Sequence, residues 1–254
     1  MSTFPDKFRL DGRTALITGS ARGLGWEMAK ALAEAGARVL LHGRTRERIA
    51  PRLEELRRAG VACDALAFEM GDRAAMAAEV AASGPIDILI HNVGERDRRP
   101  FADIAAEDFA RLIDVDLNAA HALVKLVVPG MIERRWGRLI LVTSIVADLA
   151  VPGAASYVAA KGGLAALSRA LAAELGATGI TSNSLSPGFF ATETNAGLIA
   201  SPAGERQRER CPAKRWAEPA EIAGAALFLA SPAASYVNGH ALVVDGGVSA
   251  TYLS

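Results

Sequence analysis

Thr14-Ala15-Leu16-Ile17-Thr18-Gly19-Ser20-Ala21-Arg22-Gly23-Leu24-Gly25 runs from a short apolar segment through three glycines into a helical pattern. A strand that passes straight into such a loop and then a helix leaves backbone N–H groups and a helix N-terminus free to meet a pyrophosphate. Glycine suits the loop because a Cβ would hold the phosphate away. Alone, the motif is also compatible with a tight structural turn. Between the first strand and first helix of a doubly wound chain, it stands where dinucleotides bind. Gly19, Ser20, Arg22, Gly23, Leu24 and Gly25 are therefore candidate cofactor contacts.

Working outward, short runs rich in Val, Ile and Leu recur at 14–18, 39–42, 86–91, 138–143, 180–185 and 241–244, with helical patterns between them. A weaker run at 62–68 makes a seventh strand. Near-continuous apolar strands alternating with helices imply an α/β fold: a Rossmann-like, doubly wound parallel seven-stranded sheet with helices on both faces. No composition shift or repeat divides the chain, so one domain across 1–254 is expected. The irregular stretch 189–217, with Gly, Pro and many charges, reads either as a mobile lid or as surface helices with solvated charges.

Length and composition narrow the function classes. A chain of 254 residues that is 51% hydrophobic has ample material for one large core. Lys plus Arg equals Asp plus Glu at 28 each, which argues against a polyanion-binding surface and favours small molecules over nucleic acid as partners. Cys63 and Cys211 lie far apart without metal-ligand spacing, so no disulfide framework and no metal site is expected. The first ten residues lack a signal peptide's apolar core. Lys125, Pro129 and Gly130 are expected to interrupt the most apolar helix before it spans a bilayer, so a cytoplasmic protein without membrane contact follows.

Which dinucleotide binds depends on the end of the second strand. An acidic residue about 20 positions beyond the glycine loop grips the ribose 2′-hydroxyl of NAD. Here the strand ends in His42-Gly43-Arg44-Thr45. No carboxylate repels a 2′-phosphate, Arg44 can pair with it bidentately, and Arg22 approaches from the glycine loop, so NADP is favoured with NAD as the alternative. Both arginines also fit as solvated surface charges.

Tyr157 and Lys161 stand four apart in a helical pattern and so project from one face about one turn apart. An ammonium there favours a phenolate, which makes the pair a proton-transfer device. Singly, Tyr157 also reads as an interfacial aromatic, Lys161 as a solvated helix residue and Ser144 as an ordinary strand-end serine.

Together these residues resemble the short-chain dehydrogenase/reductase family, in its form of roughly 250 residues, across nearly the whole chain. The glycine loop matches; Asn92-Val93-Gly94 stands where the family has Asn-Ala-Gly after the fourth strand; Ser144 precedes Tyr157 by the usual spacing; and Pro187-Gly188 followed by Thr192 matches the segment that closes over the nicotinamide carboxamide. The resemblance implies that Tyr157 is the general acid/base, that Ser144 hydrogen-bonds the substrate oxygen, and that Lys161 holds the nicotinamide ribose. Glu69, with Met70 beside it, stands where the family often has an aspartate near the adenine amino group; a solvated strand-end charge is the other reading. One departure matters: the family usually completes the site with an asparagine in the helix after the fourth strand, and Val115-Asp116-Leu117-Asn118 places Asp116 there. A carboxylate accepts hydrogen bonds and pairs with Lys161, but it adds negative charge and lacks amide donors, so an altered proton relay is expected.

Substrate selectivity should lie in the loops after Gly94 and Gly188, outside the carboxyl ends of the strands. Arg96 and Arg98 offer guanidinium forks to an anionic or polyhydroxylated substrate, with surface salt bridging as the competing reading, and Phe189 lies in the second loop. Within the family the Arg-Arg-Pro-Phe stretch and 187–193 look most like gluconate 5-dehydrogenases, which interconvert D-gluconate and 5-keto-D-gluconate, usually with NADP. Glu95 and Asp97 would oppose a carboxylate. Reduction of another ketone, such as a 3-oxoacyl thioester or a cyclic ketone, is the alternative reaction. A weakly active NADP-binding sensor or scaffold is the alternative outside enzymes, against which the joint presence of Ser144, Tyr157 and Lys161 argues. His91 and His121 read as structural histidines. Ala-rich helices at 108–134 and 155–177, with outer faces suited to a two-fold axis as in the family's tetramers, suggest a homotetramer, with a dimer as the alternative.

Overall fold

The computed structural model describes residues 3–251. In chain order the elements are β1 (Thr14–Ile17), α1 (Gly23–Glu34), β2 (Arg38–Gly43), α2 (Arg46–Arg58), β3 (Cys63–Ala67), α3 (Arg73–Ala82), β4 (Ile88–His91), α4 (Ala106–Ile113), α5 (Ala119–Glu133), β5 (Gly137–Val142), α6 (Ala155–Leu175), β6 (Ile180–Pro187), α7 (Ala196–Ile199), α8 (Pro202–Arg210), α9 (Ala223–Ala230) and β7 (Ala241–Val244). The seven strands form one sheet in the order β3-β2-β1-β4-β5-β6-β7, every pair parallel. The chain reverses its winding between β1 and β4, which opens a crevice at their carboxyl ends.

The strands read as continuous apolar runs because alternate residues feed two cores. Ile17, Val39, Leu41 and Ile90 pack with Met28 and Leu32 of α1 and Leu229 of α9 on one face. Leu16, Leu40, Leu89 and Leu139 pack with Met76 of α3 and Leu123, Val127 and Met131 of α5 on the other. Burial of an aliphatic side chain contributes about 1.5–3 kcal/mol, so the sheet is anchored from both sides and its strand ends are fixed platforms.

One expectation changes, and one open choice is decided in favour of surface helices. The helix expected over 108–134 begins earlier and is broken by a π turn at Asp114–Asn118. Beyond it α5 runs through Lys125, Pro129 and Gly130 to Glu133 without interruption. The joined segment Ala106–Glu133, with a mean hydropathy of 1.3, is long and apolar enough by composition to cross a membrane, so these residues do not act as the expected breaks. Its buried stripe belongs to the core just described. The stretch 189–217 folds into α7 and α8 and is tied down at both ends: Ala191 N–H donates to Ala217 O at 2.8 Å and Ala217 N–H to Phe189 O at 2.8 Å. Some of its charges lie in exposed pairs, such as Arg208 with Glu205.

Candidate active site

A cleft of about 1280 Å³ opens at the carboxyl ends of β1, β4, β5 and β6. At its floor, Gly19 and Gly23 take φ of +64° and +56°, the left-handed region that disfavours a Cβ. A Cβ on Gly25 would fall 2.7 Å from Asn92 Nδ2, so this glycine lets α1 pack against the loop and does not itself line the cleft. Thr18 Oγ1 accepts from the N–H groups of Asn92 (2.8 Å) and Val93 (3.2 Å), and Asn92 Nδ2 donates to Thr18 O at 3.1 Å. These bonds staple the glycine loop to the Asn92-Val93-Gly94 segment.

His42, which the sequence reading left without a role, braces the loop from β2. Gly19 N–H donates to His42 Nδ1 at 3.1 Å, His42 N–H donates to Ser20 Oγ at 2.9 Å, and Ser20 N–H donates to His42 O at 3.0 Å. Because Nδ1 accepts, the ring proton sits on Nε2 and is donated to Phe68 O at 3.1 Å. Burial pushes this imidazole down to about 4, so it is neutral at ordinary pH. Ser20 thus lies beneath the loop rather than lining the cleft.

Toward the β2 end, Arg22, Arg44, Glu69 and Met70 line the cleft, joined by Arg48 and Arg52 of α2. Arg44 stands 3.9 Å from Glu69, and Arg22 4.0 Å from Glu193, in exposed pairs that contribute little and yield readily to a stronger anion. Arg48 and Arg52 were missed, although their four-residue spacing on a helix that follows β2 puts them on one face.

At the other end Ser144, Tyr157 and Lys161 come together, with Pro187, Gly188 and Thr192 across from them. β5 delivers Ser144, and α6 carries the other two on its buried face. Lys161 Nζ donates to Val142 O at 3.1 Å, lies 3.5 Å from Asp116 Oδ2 and sits 5.7 Å from the Tyr157 ring centroid. Asp116 does not reach the cleft; the π turn aims it behind Lys161, fully buried, where its Oδ1 accepts from Glu95 N–H at 2.8 Å. Burial raises the Asp116 carboxyl above the ordinary range while Lys161 opposes that shift. Gly94 belongs to the same knot: a Cβ there would meet Lys161 Nζ at 2.7 Å and Asp116 Oδ2 at 3.0 Å. His91, pushed down to about 3 by burial and secondarily by Lys161, contacts Asp116 O through Nε2 at 3.2 Å and braces the π turn.

The loop after Gly94 is sorted by partners. Glu95 pairs with Arg111, and Arg99 binds Asp97 (2.5 Å) and Asp108 (2.7 Å), so neither Glu95 nor Asp97 is left as an unpaired negative charge. Arg96 alone of this loop's arginines lines the cleft; its Nη1 donates to Asn195 Oδ1 at 3.0 Å, and its guanidinium lies 5.4 Å from the Tyr157 ring centroid. Arg98 lies outside the cleft. So does Phe189, whose ring packs on Trp216 at 5.4 Å; the buried Phe190 faces the cleft instead. Distant partners fix two of these positions: Asn195 receives Arg96 inside the cleft, and Trp216 receives the Phe189 ring outside it.

The sequence matches the family described as enoyl-(acyl carrier protein) reductase over residues 19–249. The chain belongs to the short-chain dehydrogenase/reductase family and is an oxidoreductase acting on secondary alcohols and ketones. Among its relatives, gluconate 5-dehydrogenase of Gluconobacter oxydans (strain 621H) is 38% identical over 250 residues, 96% of this chain and 98% of that protein. The 5-keto-D-gluconate 5-reductase of Escherichia coli (strain K12) is 35% identical over 248 residues, 96% of this chain and 98% of that protein. A gluconate 5-dehydrogenase from Burkholderia cenocepacia J2315, solved in complex with NADP and tartrate, superimposes with a TM-score of 0.93 at 39% identity, covering 97% of this chain and 99% of that one.

Proposed function

We propose that this protein interconverts D-gluconate and 5-keto-D-gluconate with NADP as cofactor. The observation that carries the sugar-acid reading is Arg96: its guanidinium stands beside Tyr157, inside the cleft, held by the neutral Asn195 amide rather than by a carboxylate. A cation so placed is free to take a substrate carboxylate bidentately while the reacting carbon lies near the tyrosine. Asn195 is itself fixed, since it is buried and its Nδ2 donates to Phe190 O at 2.9 Å.

The cleft's own residues fit a phosphorylated dinucleotide: a left-handed glycine floor, which side chains would fill, and four arginines at its far end. Gly19, Arg22, Gly23 and Leu24 would hold the pyrophosphate; Arg44, with Arg48 and Arg52, the 2′-phosphate; Glu69 and Met70 the adenine; and Asn92, Val93, Gly94, Pro187, Gly188 and Thr192 the nicotinamide half. Bound there, NADP supplies or accepts the hydride. Tyr157 then gives or takes the proton of the substrate oxygen, Ser144 donates a hydrogen bond to that oxygen, and Lys161 stabilises the phenolate between turnovers. Asp116 acts behind Lys161, where the family's relay ordinarily has an amide.

Exposed Phe109 of α4, Leu126 and Ile132 of α5, and Val243 on the edge strand β7 support assembly as a homotetramer. The unpaired thiols of Cys63 and Cys211 fit a reducing, cytoplasmic setting, and a small-molecule substrate rather than nucleic acid or membrane. The test is reduction of 5-keto-D-gluconate followed by loss of reduced-nicotinamide absorbance, with NADPH and NADH in parallel. Turnover preferring NADPH is expected. Turnover of cyclic ketones or 3-oxoacyl thioesters with none of any sugar acid would overturn the assignment.

A further inference from the structure

Arginine is almost never fully buried without an anionic partner, yet Arg138 is 3% exposed and its acceptors among the described residues are neutral carbonyls: Gly137 O at 2.8 Å and Ser231 O at 3.4 Å. Its guanidinium lies 4.5 Å from the Trp136 ring centroid, and that of Arg13 lies 3.9 Å from the same ring. Asp87, the buried carboxylate at this end of the sheet, is already engaged by Thr14 N–H (3.0 Å), Arg134 Nε (3.0 Å) and Arg13 Nη1 (3.8 Å). Among the described residues, the positive charge at Arg138 therefore has no carboxylate partner. Burial, and then repulsion from Arg13, lowers its pKa to about 10.

A second anomaly lies directly beside it. Thr181 of β6 is paired with Arg138 of β5 in the parallel register, so the two side chains project from the same face as neighbours. Thr181 is 6% exposed, and its Oγ1 is buried without a hydrogen-bond partner among the described residues. A buried cation and an orphaned hydroxyl donor side by side lack one group: an acceptor that carries negative charge. Both line a cavity of about 800 Å³ at the amino-terminal ends of β5 and β6, opposite the catalytic cleft, with Lys7 and a fully exposed Tyr236 at its rim.

We propose that this cavity is a second binding site, for a small oxyanion, the phosphate or carboxylate group of a metabolite, held by Arg138, Thr181 and Lys7. Arg138 supplies the charge-assisted bond, Thr181 a hydroxyl donor and Lys7 a mobile ammonium at the entrance. The site does not depend on the substrate assignment above.

Binding is measured on the NADPH-saturated protein and, in parallel, on its Arg96→Gln variant, so that an anion held on the substrate side of the catalytic cleft is recognised by its loss in that variant. Inorganic phosphate and citrate are each titrated against chloride at constant ionic strength, with thermal unfolding and calorimetry as readouts. A saturable rise in melting temperature is expected, and the stronger of the two anions identifies phosphate or carboxylate as the preferred group. Thr181→Val and Lys7→Gln should each weaken binding by about fifteenfold, the loss of one hydrogen bond to a charged group, with kcat unchanged. Arg138→Gln should abolish it. Should that variant fail to fold, the other two still decide. No saturable response in the parent, or a response undiminished in both Thr181→Val and Lys7→Gln, overturns the proposal.

Discussion

The two ends of the cleft are built on different principles. At the nucleotide end the walls are backbone: glycine φ values, strand ends and the bracket of Thr18, His42 and Asn92 hold the loop with hydrogen bonds of 2.8–3.1 Å. At the substrate end the walls are side chains from two long loops, and the charges that face the cleft are those left over after Arg99 and Arg111 have found carboxylates. The first end is preorganised for one ligand class; the second is set by a competition among neighbouring charges. Substitutions should therefore act differently at the two ends, on cofactor affinity or stability at one and on substrate KM at the other.

The contrast breaks down first at Tyr157, which serves the chemistry itself. Tyr157→Phe should lower kcat by roughly a thousandfold, the scale of general acid–base catalysis, with the Kd for NADPH within about twofold of the parent. Fluorescence titration and steady-state assays check both. A comparable loss of NADPH binding would mean that the phenol's main task is to hold the cofactor.

His42 at the nucleotide end and His91 behind Lys161 are neutral because they are buried, with values of about 4 and about 3 against 6.5 in the unfolded chain. As pH falls through 6.5 the unfolded state takes up protons that the folded state refuses until about pH 4. Stability is thus present above 6.5 and lost below it, by roughly 2 kcal/mol per ring at pH 5. Asp116, whose carboxyl is raised, acts with the opposite sign as it protonates. His42→Asn, which keeps an acceptor for Gly19 N–H, should remove one ring's share of the loss. Urea midpoints at pH 7 and pH 5 measure it, and identical acid losses in the two proteins would show that His42 titrates freely in the fold.

Arg44→Ser should weaken NADPH binding by about thirtyfold, the scale of a charge-assisted hydrogen-bonding pair, and leave NADH within about twofold of the parent. Equal losses for both cofactors would move 2′-phosphate recognition to Arg48 and Arg52. At the other end Arg96→Gln should raise KM for a sugar acid about tenfold, while Arg98→Gln, outside the cleft, changes it by less than about twofold. Equal effects would place specificity in the loop's overall charge instead of one fork.

The pair Arg96 and Arg98 also shows what a sequence can and cannot convey. The strands, the glycine loop and the Tyr157–Lys161 pair were legible because each depends on local periodicity or a fixed short spacing. Arg96 faces the cleft because of Asn195, 99 positions further on, and Phe189 turns away because Trp216 receives its ring. Such choices depend on which distant loop arrives, which no short window contains. His42 escaped notice for a related reason: its significance lies in a neutral tautomer bridging three strand ends.

Asp116 sharpens the comparison most finely, since it lies behind the chemistry and belongs to neither wall. Asp116→Asn keeps an oxygen to accept from Glu95 N–H and removes the negative charge beside Lys161. If the buried carboxylate is ionised, its charge opposes the developing phenolate, and removing it should move the acid limb of kcat/KM for alcohol oxidation down by about half a pH unit. The corresponding rate gain is about threefold on that limb, with the NADPH Kd unchanged. An unmoved limb would mean that burial has already won over Lys161 and that the carboxyl is neutral at working pH. Asp116 would then act as an amide does, through its hydrogen bond alone.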